Sequence, residues 1–217
     1  KRALRRAVRG LGRIVFVNDA LLALGSIAAS CLSWTPFGKR LSEQLAAVKP
    51  NYDLLRGVPT DVPLLGAEWR LRQPDETRDP GAIDPACGLF WMSPVVPMTG
   101  RDARAVTDLL APILTEHGFD ALATFTLLNE RAMIGIFNIA FDKTDPKETQ
   151  RAVTCYDQAM AALLREGYVP YRTGLRGMPK LHARGDVFWE IAADIKRALD
   201  PHGIIAPGRY LPPIVDP

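Results

Sequence analysis

A chain of 217 residues is long enough for one large domain or two small ones. Its net charge of +3 is too small to argue for a nucleic-acid partner, and the basic cluster Lys1, Arg2, Arg5, Arg6, Arg9 and Arg13 reads as a solvated helix face. Cys31, Cys87 and Cys155 are odd in number and far apart, without a C-x-x-C, which points to free thiols in a reducing, cytoplasmic setting. His117, His182 and His202 lack metal-ligand spacing, and neither a P-loop nor a G-x-G-x-x-G occurs, so no metal site is expected.

In chain order, Lys1 to Arg9 is predicted as a helix ended by Gly10 and Gly12, and Arg13 to Val17 as a short strand. No capping residue precedes the first helix, so the chain is expected to begin inside a domain, with a further strand upstream. Asn18 or Asp19 caps a helix to about Cys31. The most apolar run, Ile14 to Leu32, is interrupted by Asn18 and Asp19 and makes a poor membrane span. Residues 33–38 read as a turn, Lys39 to Lys49 as a helix and Asn51 to Leu55 as a further short helical turn. Residues 58–88, rich in Pro, Asp and Gly, form a long connection with little periodicity.

From Leu89 the pattern sharpens. Leu89 to Val96 is a strand closed by Pro97, Arg101 to His117 an amphipathic helix, and Phe119 to Leu128 and Met133 to Phe141 two strands joined at Asn129 and Glu130. Asp145 and Pro146 open a helix as N-cap and N1, which Gly167 closes. A short strand around Tyr171 completes a β-α-β-β-α-β order. The fold class is therefore α+β, a ferredoxin-like antiparallel sheet flanked by helices. After Gly174 the chain is expected to be irregular until Asp186, which caps a helix to about Leu199.

The segment Gly167 to Gly174 carries the first chemistry. Neighbours in a strand point to opposite faces, but Pro170 and Gly174 favour a bend, at which Tyr171 and Arg172 converge. A phenolic hydroxyl beside a permanent cation holds an anionic oxygen well. The alternative is a structural tyrosine beside an arginine paired with a surface carboxylate. Near the end, Pro207, Gly208 and Arg209 combine a backbone turn with a cation, which suits a phosphate or a ring carbonyl; the alternative there is an ordinary terminus.

Three segments together resemble the C-terminal half of the vanillyl-alcohol oxidase and 4-cresol dehydrogenase family of flavoproteins. They are Gly88-Leu-Phe-Trp-Met-Ser-Pro-Val-Val-Pro97, Pro170-Tyr-Arg-Thr-Gly174 and Ala198-Leu-Asp-Pro-His-Gly-Ile-Ile-Ala-Pro-Gly-Arg209. The loop from Gly57 to Pro63 is similar to one in the same family. The resemblance implies a two-lobe flavoprotein: residues 1–175 would be the cap and substrate domain, and 176–217 the segment returning to an FAD-binding lobe. That N-terminal lobe would be the missing part of the protein or another chain, and a homo-oligomer is implied as well.

On this resemblance Tyr171 and Arg172 are the catalytic pair, holding the substrate's phenol oxygen as phenolate. Hydride then leaves the para benzylic carbon for flavin N5, giving a quinone methide that water can attack. Arg131, Pro207, Gly208 and Arg209 are the implied cofactor contacts. Some relatives link FAD to a cap side chain, commonly a histidine in the stretch read here as the Met133 to Phe141 strand. Arg131 to Asn138 has no His, Cys or Tyr, so FAD is expected to be held non-covalently. Gly174 is a second departure, since many relatives have His there. The competing reading is a non-catalytic ferredoxin-like module that binds a ligand or a partner.

Overall fold

The computed structural model describes residues 6, 16–60, 65–73, 77, 83–182 and 187–211, and falls into two compact units, 1–66 and 67–217. In the first unit, helix α1 (Asp19–Cys31) is followed by α2 (Pro36–Leu55). Asn18 is the N-cap of α1, its Oδ1 accepting the Leu21 amide at 2.8 Å. Thr35 caps α2, its Oγ1 accepting the Gly38 amide at 3.0 Å with Pro36 in the first turn. The helix therefore starts before Lys39, and the turn expected over 33–38 is shorter. Pro50 does not end it, so the two helical pieces expected there form one element. Most of the helix and strand expected over 1–17 lies outside the described residues; 16–18 are non-helical.

The second unit is built on a four-stranded antiparallel sheet. Strands β1 (Cys87–Met92) and β2 (Val95–Pro97) pair in one constant register with the long strand β4 (Ala132–Asp142), Met92 opposite Phe137 and Val95 opposite Ile134. The single strand expected over 89–96 is thus divided. Pro94 accepts from the Gly135 amide at 3.0 Å but has no N–H to return. On the other edge of β4 lies β3 (Leu122–Leu127), joined to it by a turn in which Asn129 Oδ1 accepts the Arg131 and Ala132 amides.

Helix α3 (Gly100–Glu116) is capped by Thr99 and α4 (Pro146–Arg165) by Asp145, which accepts the Lys147 and Glu148 amides. Gly167, at φ +84°, ends α4 as its sequence position requires. The strand expected around Tyr171 is reduced to a single bridge, Pro94 to Pro170, flanked by Val95 N to Val169 O at 2.9 Å and Tyr171 N to Ser93 O at 3.0 Å. The two prolines form the non-hydrogen-bonded pair, and the bridge ends where the chain bends after Tyr171. Across the sheet the order is β3, β4, β1/β2 and the bridge, which is the ferredoxin-like order with its last strand shortened. Helix α5 (Met178–His182) occupies part of the stretch expected to be irregular, and α6 (Val187–Leu199) follows. Its expected cap, Asp186, lies outside the described residues.

Helices α3 and α4 cover one face of this sheet. Val106, Leu110, Leu114, Ala159, Met160 and Leu163 pack on Met92, Val96, Phe137 and Ile139, all essentially without solvent contact. Cys155 lies in this core, and burial pushes its thiol up to about 11, so it is inert. The long connection is tied to the same framework. The turn over Gly66–Arg70 sends Arg70 to Glu148 at 3.1 Å, and the Arg72 amide donates to Asp142 at 3.2 Å. Among the described residues the cysteines are free, and no helix is long and apolar enough to cross a membrane.

Candidate functional site

Strand pairing decides which side chains share the face that α3 and α4 leave open. Alternation along β4 turns Ile134, Ile136, Asn138 and Ala140 away from the core that holds Phe137 and Ile139. Directly opposed residues face the same way. Leu89, Trp91 and Val95 therefore join them from one side, and Leu122, Thr124 and Thr126 from the other. Trp91 is 38% exposed and Leu122 46%. This is an apolar surface with a large aromatic at its centre.

Tyr171 pairs through its backbone with Ser93 and reaches the same edge. The chain bends after it, and the Arg172 guanidinium carbon stands 5.3 Å from the Tyr171 ring centroid and 6.0 Å from that of Trp91. The bend thus brings Tyr171 and Arg172 together, as their flanking Pro and Gly led us to expect. Arg70, Arg72 and Arg176 all meet carboxylates. Arg172 forms no ion pair or hydrogen bond among the described residues.

The segment beyond Arg172 is clamped to α4. Thr173 Oγ1 is 3.1 Å from the Tyr156 hydroxyl, and Arg176 Nε donates to Asp157 Oδ1 at 3.0 Å, with Lys180 3.3 Å from the same carboxylate. Burial alone would raise the Asp157 pKa, but its hydrogen bond to Arg176 and the nearby Lys180 outweigh this and hold the carboxyl below its usual range. Burial pushes the Tyr156 hydroxyl up. At Gly177 a Cβ would stand 2.1 Å from Thr173 Oγ1 and 2.7 Å from the Tyr156 hydroxyl, so no larger residue fits this close approach.

Two oxygens that sequence reasoning missed lie at open-face positions: Ser93 Oγ and Asn138 Oδ1 are buried and have no hydrogen-bond partner among the described residues. Trp91 was also missed as a site residue. The signal was the parity of β1 and β4, which becomes readable once their register is known. Cys87, opposite Asp142 at the end of β1, is a weak nucleophile, because burial and the charges of Glu68, Asp84 and Asp142 raise its pKa against the opposing Lys143.

The other expected site residues lie apart from this pair. Arg131 is exposed in the β3–β4 turn, its carbonyl accepting the Met98 amide at 3.0 Å. Pro207, Gly208 and Arg209 form a turn in which the Arg209 amide donates to Ala206 O at 3.1 Å, with Ala206 at φ 43° and Gly208 at φ 73°. Asp200 braces the tail by accepting the Ile204 and Ile205 amides and Lys196 Nζ, which holds its carboxyl below the usual range. Among the described residues no hydrogen bond joins Arg131 or the 207–209 turn to Tyr171 or Arg172.

Residues 132–210 match the family of FAD linked oxidases, C-terminal domain. The chain is 32% identical over 174 residues to the 1'-carboxy-chondrochloren decarboxylase of Chondromyces crocatus, covering 80% of this chain and 31% of the relative. It is 32% identical over 123 residues to the 4-cresol dehydrogenase [hydroxylating] flavoprotein subunit of Pseudomonas putida, 56% of this chain and 23% of that one. Among solved structures, p-cresol methylhydroxylase with substrate bound matches with TM-score 0.54 at 31% identity, over 58% of this chain and 24% of the other. The isoeugenol complex of 4-ethylphenol oxidase from Gulosibacter chungangensis matches with TM-score 0.52 at 28% identity, over 59% and 25%.

The matched stretch, which holds β4, α4, α5, α6 and the start of the tail, defines a C-terminal domain of the FAD-linked oxidase class. Beyond that match the chain is similar to phenol-oxidising flavoproteins, the 4-cresol dehydrogenase flavoprotein subunit and the two solved structures. It spans 31% and 23% of the length of these two curated relatives. Its open face, with Trp91 exposed on it, can lie against a planar ring. A glycine-rich phosphate cradle is not found among the described residues.

Proposed function

We propose that this chain is the cap and C-terminal part of an FAD-dependent oxidoreductase that acts on para-substituted phenols. Residues 1–175 would form the cap and 176–217 the segment that returns to a separate N-terminal FAD lobe. The observation that carries the reading is Arg172, a cation without a carboxylate partner among the described residues, beside Tyr171 and Trp91 at the edge of an apolar face.

The chemistry follows from those groups. A free phenol ionises with a pKa of about 10. A guanidinium and a donated tyrosine proton, both within reach of its oxygen, favour the anion. Once a separate FAD lobe covers this face, Trp91 and the aliphatic side chains around it would exclude water, which strengthens both interactions. The phenolate pushes electron density to the para carbon, and loss of hydride from the benzylic position leaves a quinone methide, to which water adds. FAD, when bound, is the hydride acceptor.

We infer that the FAD is not covalently linked through this chain. The described open-face positions of β1 and β4 carry no His or Tyr, and Cys87 is held as the thiol. Acid precipitation of the complete flavoprotein should leave the flavin in the supernatant; a yellow pellet counts against this part of the reading.

The phenolate role is tested by the ionisation of a bound inhibitor phenol, read by absorbance. In the complete enzyme it should ionise at lower pH than when free, and Arg172→Ala should abolish most of that shift. The same substitution should remove roughly 2–4 kcal/mol of transition-state stabilisation, about two to three decades in rate, with little change in melting temperature. Unchanged turnover together with a lowered melting temperature would favour the non-catalytic module instead.

A second reading has its own support, since the match covering 80% of this chain is to a decarboxylase. The same phenolate anchor would then serve a phenol bearing a carboxyl group on its para side chain. Release of CO2 from such a substrate separates the two.

A further inference from the structure

We propose that Asn138 determines specificity: its side-chain amide hydrogen-bonds a polar group on the substrate's para side chain while Tyr171 and Arg172 hold the phenol oxygen. This rests on the phenol reading and deepens it. Asn138 occupies the middle strand of the sheet, directly opposite Trp91 on β1 and Leu122 on β3, and faces away from the helices. Its Oδ1 is buried and has no partner among the described residues. A buried amide oxygen left unpaired costs stability, and an aliphatic side chain of similar shape would remove that cost. Folding therefore gives no reason for an amide here, whereas a ligand does.

The position of Arg172 fixes which end of the ligand this is. Its guanidinium lies over the Trp91 ring, 6.0 Å from the centroid, at the edge of the sheet. An aromatic ring resting on Trp91 with its oxygen at that edge extends inward across β1, so its para side chain arrives over Trp91's cross-strand partner, Asn138. The neighbours on the middle strand, Ile134, Ile136 and Ala140, are apolar and offer it no competing hydrogen bond. Ser93 Oγ, at the same face, belongs to a residue that is 0% exposed and cannot reach a ligand. With Oδ1 buried, the amide nitrogen is the group left to the open face, and it donates, so the favoured side chain carries an acceptor such as a hydroxyl or carbonyl oxygen.

The test uses the complete flavoprotein and two probe phenols of one shape, 4-ethylphenol and 4-hydroxybenzyl alcohol, which differ by CH3 against OH. Asn138→Leu should lower the kcat/KM ratio of alcohol to ethylphenol about tenfold, the worth of a neutral hydrogen bond, mainly through KM for the alcohol. Its unliganded melting temperature should stay level or rise. An unchanged ratio with both phenols still oxidised overturns the role of Asn138 and leaves the phenol reading standing. A lowered melting temperature or loss of folding makes the amide structural and overturns it as well. Wild-type enzyme that oxidises neither phenol brings down both readings.

Discussion

The two faces of one sheet have opposite fates. On the helix side, Met92, Val96, Phe137 and Ile139 are packed to zero or near-zero exposure against α3 and α4. On the other side, Leu89, Trp91, Val95 and Leu122, from the same sheet and equally apolar, remain 36–46% exposed. Composition does not separate the faces; the partner does. An apolar face without a packed partner costs solubility unless something occupies it. Among the described residues that face also carries an arginine without a carboxylate and an amide oxygen without a donor, the two features on which the proposed ligand rests.

The largest test of this contrast is truncation of one aromatic from each face. Phe137→Ala should destabilise the protein by about 3–5 kcal/mol, because it opens a cavity in a closed core. Trp91→Ala, removing a larger side chain, should lower the melting temperature far less and should cost substrate binding instead. Equal losses of melting temperature would mean that the open face is ordinary core.

A smaller effect is expected at Asp142, whose position on β4 shares the open-face parity but whose carboxylate is enclosed by its own loop. The Thr144 hydroxyl, at 2.6 Å, and the Thr144 and Arg72 amides hold its pKa below the ordinary value against the opposing effect of burial. A depressed pKa means the folded state binds fewer protons than the unfolded one in acid. The contribution to stability is therefore present above the ordinary carboxylate pKa of about 4 and is lost as pH falls through the lower, folded value. Asp142→Asn should flatten the acid limb of a melting-temperature profile and leave the neutral-to-alkaline limb parallel to wild type. The smallest effect belongs to Leu122→Thr, at the exposed edge of the open face, which should fall within about 0.5 kcal/mol of wild type.

Local chemistry carried much of this architecture. Asp145-Pro146 opened α4 and Gly167 closed it, because capping depends on a few adjacent residues. The Pro170 and Gly174 bend was legible for the same reason, and with it the meeting of Tyr171 and Arg172. Asn138 was not legible: an asparagine inside a strand forms no motif, and its face is defined by a pairing partner nearly fifty residues away. Pro50 misled in the opposite direction, since its local veto on helix was overridden within α2. Pro94 divided a strand whose register never changed, which only the ladder of β4 reveals.

Pro170 has a further consequence, for self-association. Val169 and Tyr171 turn their backbone groups inward to Val95 and Ser93. By alternation, the residue between them presents its backbone outward, at the free margin of the sheet. Being proline, it offers no N–H there. A bare margin beside an apolar face is a template on which another extended chain could stack, and removal of its outward donor denies such a strand its first rung. The proline that helps bend Tyr171 and Arg172 toward each other thus also guards against edge-to-edge aggregation.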